Sequence, residues 1–104
     1  MKALWNNQII AESNETIMIE GNHYFPPASL KMEYFIKNDF HTTCPWKGLA
    51  YYYNIDVNSK LNVNGAWYYP EPKPNSIPIV MQQNNNDIDF SSYVAFWRGV
   101  EVVS

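Results

Sequence analysis

Apolar and polar residues alternate along most of this chain, in short runs separated by turn-forming residues. Lys2-Ala3-Leu4-Trp5, Gln8 to Glu12 and Thr16 to Glu20 each have the length and the apolar or β-branched content of a strand. Asn6-Asn7 separates the first two, and consecutive asparagines tolerate the positive φ of a two-residue hairpin turn. Ser13-Asn14-Glu15 marks a second turn, so the spacing predicts a three-stranded antiparallel meander at the start of the chain. Gly21 to Ser29 breaks the pattern. Pro26-Pro27 removes two consecutive backbone donors, and the stretch reads as an ordered loop with a single helical turn over Ala28 to Met32. Met32 to Ile36 reads as another short strand, and Asn38-Asp39 as a turn into His41-Thr42-Thr43-Cys44-Pro45-Trp46-Lys47-Gly48.

Beyond Gly48, the alternation through Tyr53 to Val57 predicts a strand with one wet face, and Asn58-Ser59-Lys60 a turn. Asn62 to Tyr69 returns as a strand rich in aromatics. Pro70-Glu71-Pro72-Lys73-Pro74 is extended and polyproline-like. Ile77 to Met81 reads as a weak edge strand, kept from an interior place by Pro78. Gln82 to Asp89 lacks the apolar residues to pack and reads as an exposed loop. Tyr93 to Val103 reads as a long last strand or hairpin interrupted at Gly99. The chain shows no repeat, heptad or long amphipathic helix, so the expected class is mainly β and antiparallel, with one or two short helical turns.

Composition sharpens this picture at several points. At 104 residues the chain is expected to be a single domain over 1–104. Aromatic residues make up 16% of it (Trp 4, Tyr 8, Phe 5), more than a small core holds with every polar tip satisfied, so some are expected to line a cleft. The formal net charge is −3 and the seven Lys and Arg are scattered, which argues against the basic patch of a nucleic-acid binder. One cysteine excludes an intramolecular disulfide and a CxxC zinc knuckle. No run approaches membrane-spanning length and Met1 to Asn7 is not leader-like, so the expectation is a soluble, cytoplasmic protein without a membrane partner. The oligomeric state stays open.

The candidate chemistry gathers between His41 and Gly48. A cysteine attacks as the thiolate, which a nearby cation or imidazolium favours. His41, three residues before Cys44, and Lys47, three after, would meet it if this stretch folded back on itself. Cys44 and His41 are therefore the candidate catalytic pair. The plainer reading makes Cys44 a small buried hydrophobe and Lys47 a solvated surface charge. Glu20, His23, His41 and Cys44 include enough ligand types for zinc but not its usual spacing, so neither a metal nor a cofactor is expected. Arg98 lies among apolar residues and needs either a carboxylate such as Glu20 or a ligand anion. Trp67-Tyr68-Tyr69 and Trp46 offer an aromatic wall for a planar ligand or a cation, or simply pack across strands.

His41 to Gly48, Ala66-Trp67-Tyr68-Tyr69-Pro70-Glu71-Pro72-Lys73-Pro74, Val94-Ala95-Phe96-Trp97 and Glu20 to Pro26 together resemble the family called domain of unknown function 427, sometimes labelled nucleotidyltransferase-like. The likeness covers nearly the whole chain in the same order, with Gln82 to Asp89 as an insertion outside the site. It implies a β-tent, or Mss4-like, architecture of antiparallel sheets leaning together over one pocket. Many β-tent proteins hold zinc through two CxxC pairs that this chain lacks, and no residue pattern here supports nucleotidyl transfer.

These readings converge on a pocket for a planar or anionic small molecule. Glu20, Tyr24, Trp46, Lys47, Trp67, Tyr69, Trp97 and Arg98 would bind the ligand, with Cys44 and His41 as reactive or hydrogen-bonding centre. Whether it is an enzyme is left open. The competing expectation is a non-catalytic module that captures a peptide or modified side chain in an aromatic groove.

Overall fold

The computed structural model describes all 104 residues. Strands β1 (Lys2–Trp5) and β2 (Gln8–Glu12) form the expected hairpin, with Asn6 and Asn7 at φ 50° and 63°. The meander stops there. β3 (Ile17–Ile19) pairs instead with β4 (Asn22–Tyr24) across a Glu20-Gly21 turn in which both residues have positive φ. The reason lies in where the side chains go. Ala3, Ile10 and Ala11 bury in one core, whereas Ile17 and Ile19 bury in another, so the third strand cannot stay beside the second.

Gly21 to Ser29 is thus a strand followed by a 3₁₀ turn at Pro27–Ser29, and Met32–Tyr34 forms a second 3₁₀ turn rather than the start of a strand. β5 (Phe35–Cys44) runs straight through Asn38-Asp39, which form a bulge and not a turn. Asn38 satisfies the irregularity from its own side chain. Its Nδ2 donates to Oδ1 of Asn54 and of Asn64, at 2.7 and 2.8 Å, and its Oδ1 accepts the Phe40 N–H. The Cys44-containing stretch is therefore the end of β5, a turn at Pro45-Trp46-Lys47, and the start of β6 (Gly48–Val57).

β6 returns through Asn58 and Ser59 (φ 52° and 66°) to β7 (Lys60–Tyr68), which pairs with β8 (Val94–Phe96). The resulting sheet has the order β5-β6-β7-β8, and Phe25, just after β4, bridges to its edge by exchanging backbone hydrogen bonds of 2.8 and 2.9 Å with Val94. The end of the chain is neither one strand nor a hairpin. After β8 it turns at Arg98-Gly99, and β9 (Glu101–Val103) joins the free edge of β1 in a separate sheet, β2-β1-β9. The protein is mainly β with antiparallel sheets, one helix and two 3₁₀ turns.

The four-stranded sheet is covered on both faces, and strand periodicity sorts its residues between them. Tyr53, Ile55 and Val57 of β6 join Ala66, Tyr68, Val94 and Phe96 in the core beneath β1 and β2. Ala50 and Tyr52 join Tyr69 and Ala95 on the opposite face, against Ile17, Ile19, Tyr24 and helix α1 (Ser76–Asn84). That helix corrects the edge strand expected over Ile77 to Met81 and takes in the start of the expected loop. Pro78 is its third residue, where the backbone nitrogen has no helical acceptor in any case. Val80 is buried, which outweighs the weak helix propensity of the β-branched run. Asn84 closes the exposed edge of β3. Its Oδ1 accepts the Met18 N–H at 2.8 Å and its Nδ2 donates to the Met18 carbonyl at 2.9 Å, as a neighbouring strand would. No helix is long and apolar enough to cross a membrane.

Candidate functional site

The pairing of β5 with β6 decides what the Cys44 region can do. Residues opposite each other on paired strands share a face. His41 is opposite Tyr51 and Cys44 is opposite Gly48, so an odd number of steps along β5 separates the two candidate catalytic groups. They project from opposite faces of the sheet. His41 is exposed and stacked on Tyr51, with 5.7 Å between ring centres, while its Nδ1 contacts the Asp39 carbonyl oxygen at 3.1 Å. Cys44 is half-buried against the core of the other face. The expected convergence of His41 on Cys44 does not occur, because a strand runs where a folded-back loop was expected.

Lys47 changes most between sequence and structure. It retains only 4% of its accessible surface, whereas a lysine in a turn ordinarily stays in water. The Pro45–Lys47 turn is braced by the proline-rich segment. The Lys47 carbonyl accepts the Lys73 N–H at 2.9 Å, and Lys73 Nζ donates to the Pro45 carbonyl at 2.7 Å. Gly48, at φ 109°, lets the chain pass close to the Lys73 and Glu71 backbone. So held, the Lys47 ammonium donates to Glu20 Oε1 and lies 5.0 and 5.3 Å from the ring centres of Tyr69 and Trp46. Glu20 comes from the β3–β4 turn, where its positive φ sets the side chain over the lysine.

Around this ion pair lies an open cleft of about 190 Å³ lined by Glu20, Asn22, Tyr24, Lys47, Tyr52, Trp67, Tyr69 and Trp97. Its aromatic walls are coupled. Trp67 Nε1 donates to the Tyr24 hydroxyl at 2.9 Å with the two rings edge to face at 89°. Trp97 stands edge-on to Trp67 at 5.6 Å and its indole N–H donates to the Asn64 carbonyl. Tyr52 is opposite Trp67 in the sheet, and its hydroxyl lies 3.0 Å from Thr42 Oγ1.

Burial works against the charge on Lys47, but the Glu20 carboxylate and the oxygens of Tyr24 and Tyr69 more than offset it, and its pKa lies above the ordinary lysine value. The side chain is therefore a permanent cation at neutral pH. A lysine that attacks carbonyl carbon needs the opposite shift. Burial also raises the Tyr24 and Tyr69 hydroxyl pKa values against the pull of the Lys47 cation, so both phenols stay neutral hydrogen-bonding groups. The arrangement can hold and orient an anion beside flat apolar rings.

Of the residues proposed from sequence, Glu20, Tyr24, Lys47, Trp67, Tyr69 and Trp97 come together in this cleft. Trp46 contacts the lysine but opens into a different hollow, with Pro45, Lys73 and Ser76. Arg98 is exposed, its guanidinium 4.6 Å from the centre of the Trp97 ring, and its carbonyl accepts a 2.9 Å hydrogen bond from Asn62 Nδ2. It is thus neither buried nor paired with Glu20. His23 contacts Thr16 Oγ1 at 2.9 Å, and no group of three or more His, Cys, Asp or Glu side chains comes together as a metal site. Sequence reasoning missed Tyr52 and Asn22. The alternation through β6 places Tyr52 on the same face as Ala50, which was a usable signal, while Asn22 offered none.

No curated protein matches the chain. A family model described as a domain of unknown function (DUF427) matches residues 1–99, nearly the full length. The chain belongs to that family, the one its Cys-Pro-Trp-Lys-Gly turn and aromatic strands resemble.

Proposed function

We propose that this protein binds a small planar anion, with the anionic group at Lys47 and the ring against Trp67, Trp97 and Tyr52. One observation carries the reading: a buried, protonated lysine whose hydrogen-bonding carboxylate, Glu20, keeps 55% of its side-chain surface exposed. An ammonium has three donors; Glu20 Oε1 takes one and the neutral Tyr24 and Tyr69 hydroxyls face the others, so a ligand anion would displace a neutral partner or the exposed carboxylate. The cleft is smaller than the roughly 300–1,000 Å³ usual for drug-sized ligands, which favours a single-ring compound. Lys47 supplies fixed positive charge, Tyr24 and Tyr69 supply neutral hydroxyls, and the indoles supply apolar surface. Binding and orientation are the proposed role. Cys44 does not line the cleft and Arg98 stands outside it, so neither is assigned a part in it. A cytoplasmic location, the absence of a nucleic-acid partner and a β-tent-like lean of the antiparallel sheets over one pocket belong to the same reading.

The test is a comparison of benzoate with benzamide by tryptophan fluorescence and thermal shift. The carboxylate should bind the wild-type protein and the amide should not, and Lys47→Met and Trp67→Leu should each abolish the benzoate response while remaining folded. Equal binding of acid and amide overturns the reading. A second reading rests on Phe40 and Trp97, which are 48% and 42% exposed and continue the aromatic row outward past Tyr52. On that reading the row is a groove for an aromatic-bearing peptide, and Phe40→Ser would weaken binding as much as Lys47→Met does.

A further inference from the structure

The opposite face of the same sheet carries a second cavity, and its chemistry is inverted. It measures about 320 Å³ and is lined by Leu49, Tyr51, Tyr68, Pro70 and Glu71. Its single ionisable acid is an exposed carboxylate, and its walls are two tyrosine rings tilted at 36° with centres 6.3 Å apart. Each ring is backed by another. His41 stacks on Tyr51 at 5.7 Å and 30°, and Tyr53 stacks on Tyr68 at 4.6 Å and 26°. The two rings are therefore held in place by packing before any ligand arrives. Lys73, two residues beyond Glu71, is tied to the Pro45 carbonyl.

We infer that this cavity is a site for an organic cation of the methylated-ammonium class. A cation within about 6 Å of a tyrosine ring centre is drawn to its π-face, and a bulky, weakly hydrated ammonium loses little by leaving water. Leu49 and Pro70 meet its methyl groups, and Glu71 supplies the compensating charge. A hydrated metal ion finds too few ligands here, since no cluster of His, Cys, Asp and Glu surrounds Glu71. The inference is independent of the Lys47 cleft. Tyr51 and Tyr68 alternate with Tyr52 and Trp67 along their strands, so the two sites share strands but no side chain.

Choline and its neutral tert-butyl isostere are the probes, titrated against the whole protein while the tyrosine ring resonances are followed by NMR. The expected result is a saturable shift of Tyr51 and Tyr68 with choline and none with the isostere. Glu71→Gln, at an exposed position, should weaken choline binding about tenfold, a size in keeping with one well-placed charged contact. Tyr51→Leu should weaken it similarly, and Lys47→Met should leave it unchanged. Equal shifts with the isostere, an unaltered affinity in Glu71→Gln, or no saturable shift of the two tyrosines would overturn the proposal.

Discussion

At the scale of single residues, Lys47 and Glu20 carry the account. Removing one member of a buried ion pair is costly when the other is left buried and uncompensated. Glu20 is more than half exposed, so water takes over its solvation when Lys47 is lost. Lys47→Met keeps the stem that packs against Tyr69 and Trp46 and should change stability by no more than about 1 kcal/mol. Lys47→Ala also empties the space of the stem and should cost about 2 kcal/mol more than the methionine variant. Urea denaturation of the two variants measures that difference. Glu20→Gln has the opposite consequence for binding. It removes the carboxylate that competes for the ammonium, so affinity for benzoate should rise several-fold, whereas a fall would show Glu20 to be part of the ligand's own contact set.

At the scale of elements, side-chain amides take the place of missing strands and caps. Asn84 pairs with both backbone groups of Met18 from the last residue of α1. Asn84→Ala leaves that edge to solvent, should cost about 1–2 kcal/mol, and should raise amide exchange at Met18 and along α1 together. Gly65 is a second such point. A Cβ there would stand 2.8 Å from the Asn62 side chain, which holds the Arg98 carbonyl. Gly65→Ala should therefore loosen the turn that carries Trp97 into the cleft, read as a change in tryptophan fluorescence together with a lower Tm.

These elements also show what could be read in advance. The β1–β2 and β6–β7 hairpins were legible because Asn6-Asn7 and Asn58-Ser59 state their positive φ locally. Helix α1 was not, since Ile77-Pro78-Ile79-Val80 has the composition of a strand and becomes helical through tertiary packing. The partners of β3 and β9 were equally hidden. Their sequences announce strands, but the choice of neighbour is made by which core receives Ile17, Ile19 and Val102. For the site, the aromatic strands and Glu20 and Lys47 were within reach as separate residues, with Glu20 expected beside Arg98 rather than Lys47, and Tyr52 was recoverable from strand parity. The fate of Lys47 was not, because its burial comes from Lys73 and Glu20, each more than twenty positions away.

At the scale of the whole molecule, burial sets a common response to alkali. Lys47, Tyr24, Tyr53, Tyr68, Tyr69 and Tyr93 all have pKa values raised in the folded state, the tyrosines chiefly by desolvation and Lys47 by its partners against desolvation. Above about pH 10 the unfolded chain releases these protons while the folded one keeps them, so it binds fewer protons and stability falls with rising pH. The sign is the same for all six groups. Stability should be insensitive to these groups near neutrality and drop steeply above that range. Denaturant midpoints, measured beside an ultraviolet titration of tyrosine ionisation, test this. A flat profile together with tyrosines that ionise normally would contradict it.

The most direct test of the anion-binding claim observes the Lys47 ammonium itself. Its ¹⁵N–¹H resonance, assigned by its loss in Lys47→Met, is followed while benzoate is added and the Trp67 indole N–H is recorded in the same spectra. A slowly exchanging, protonated signal should shift in step with the indole, both giving one Kd. An indole that shifts while the ammonium resonance stays fixed would place the anion elsewhere and contradict it.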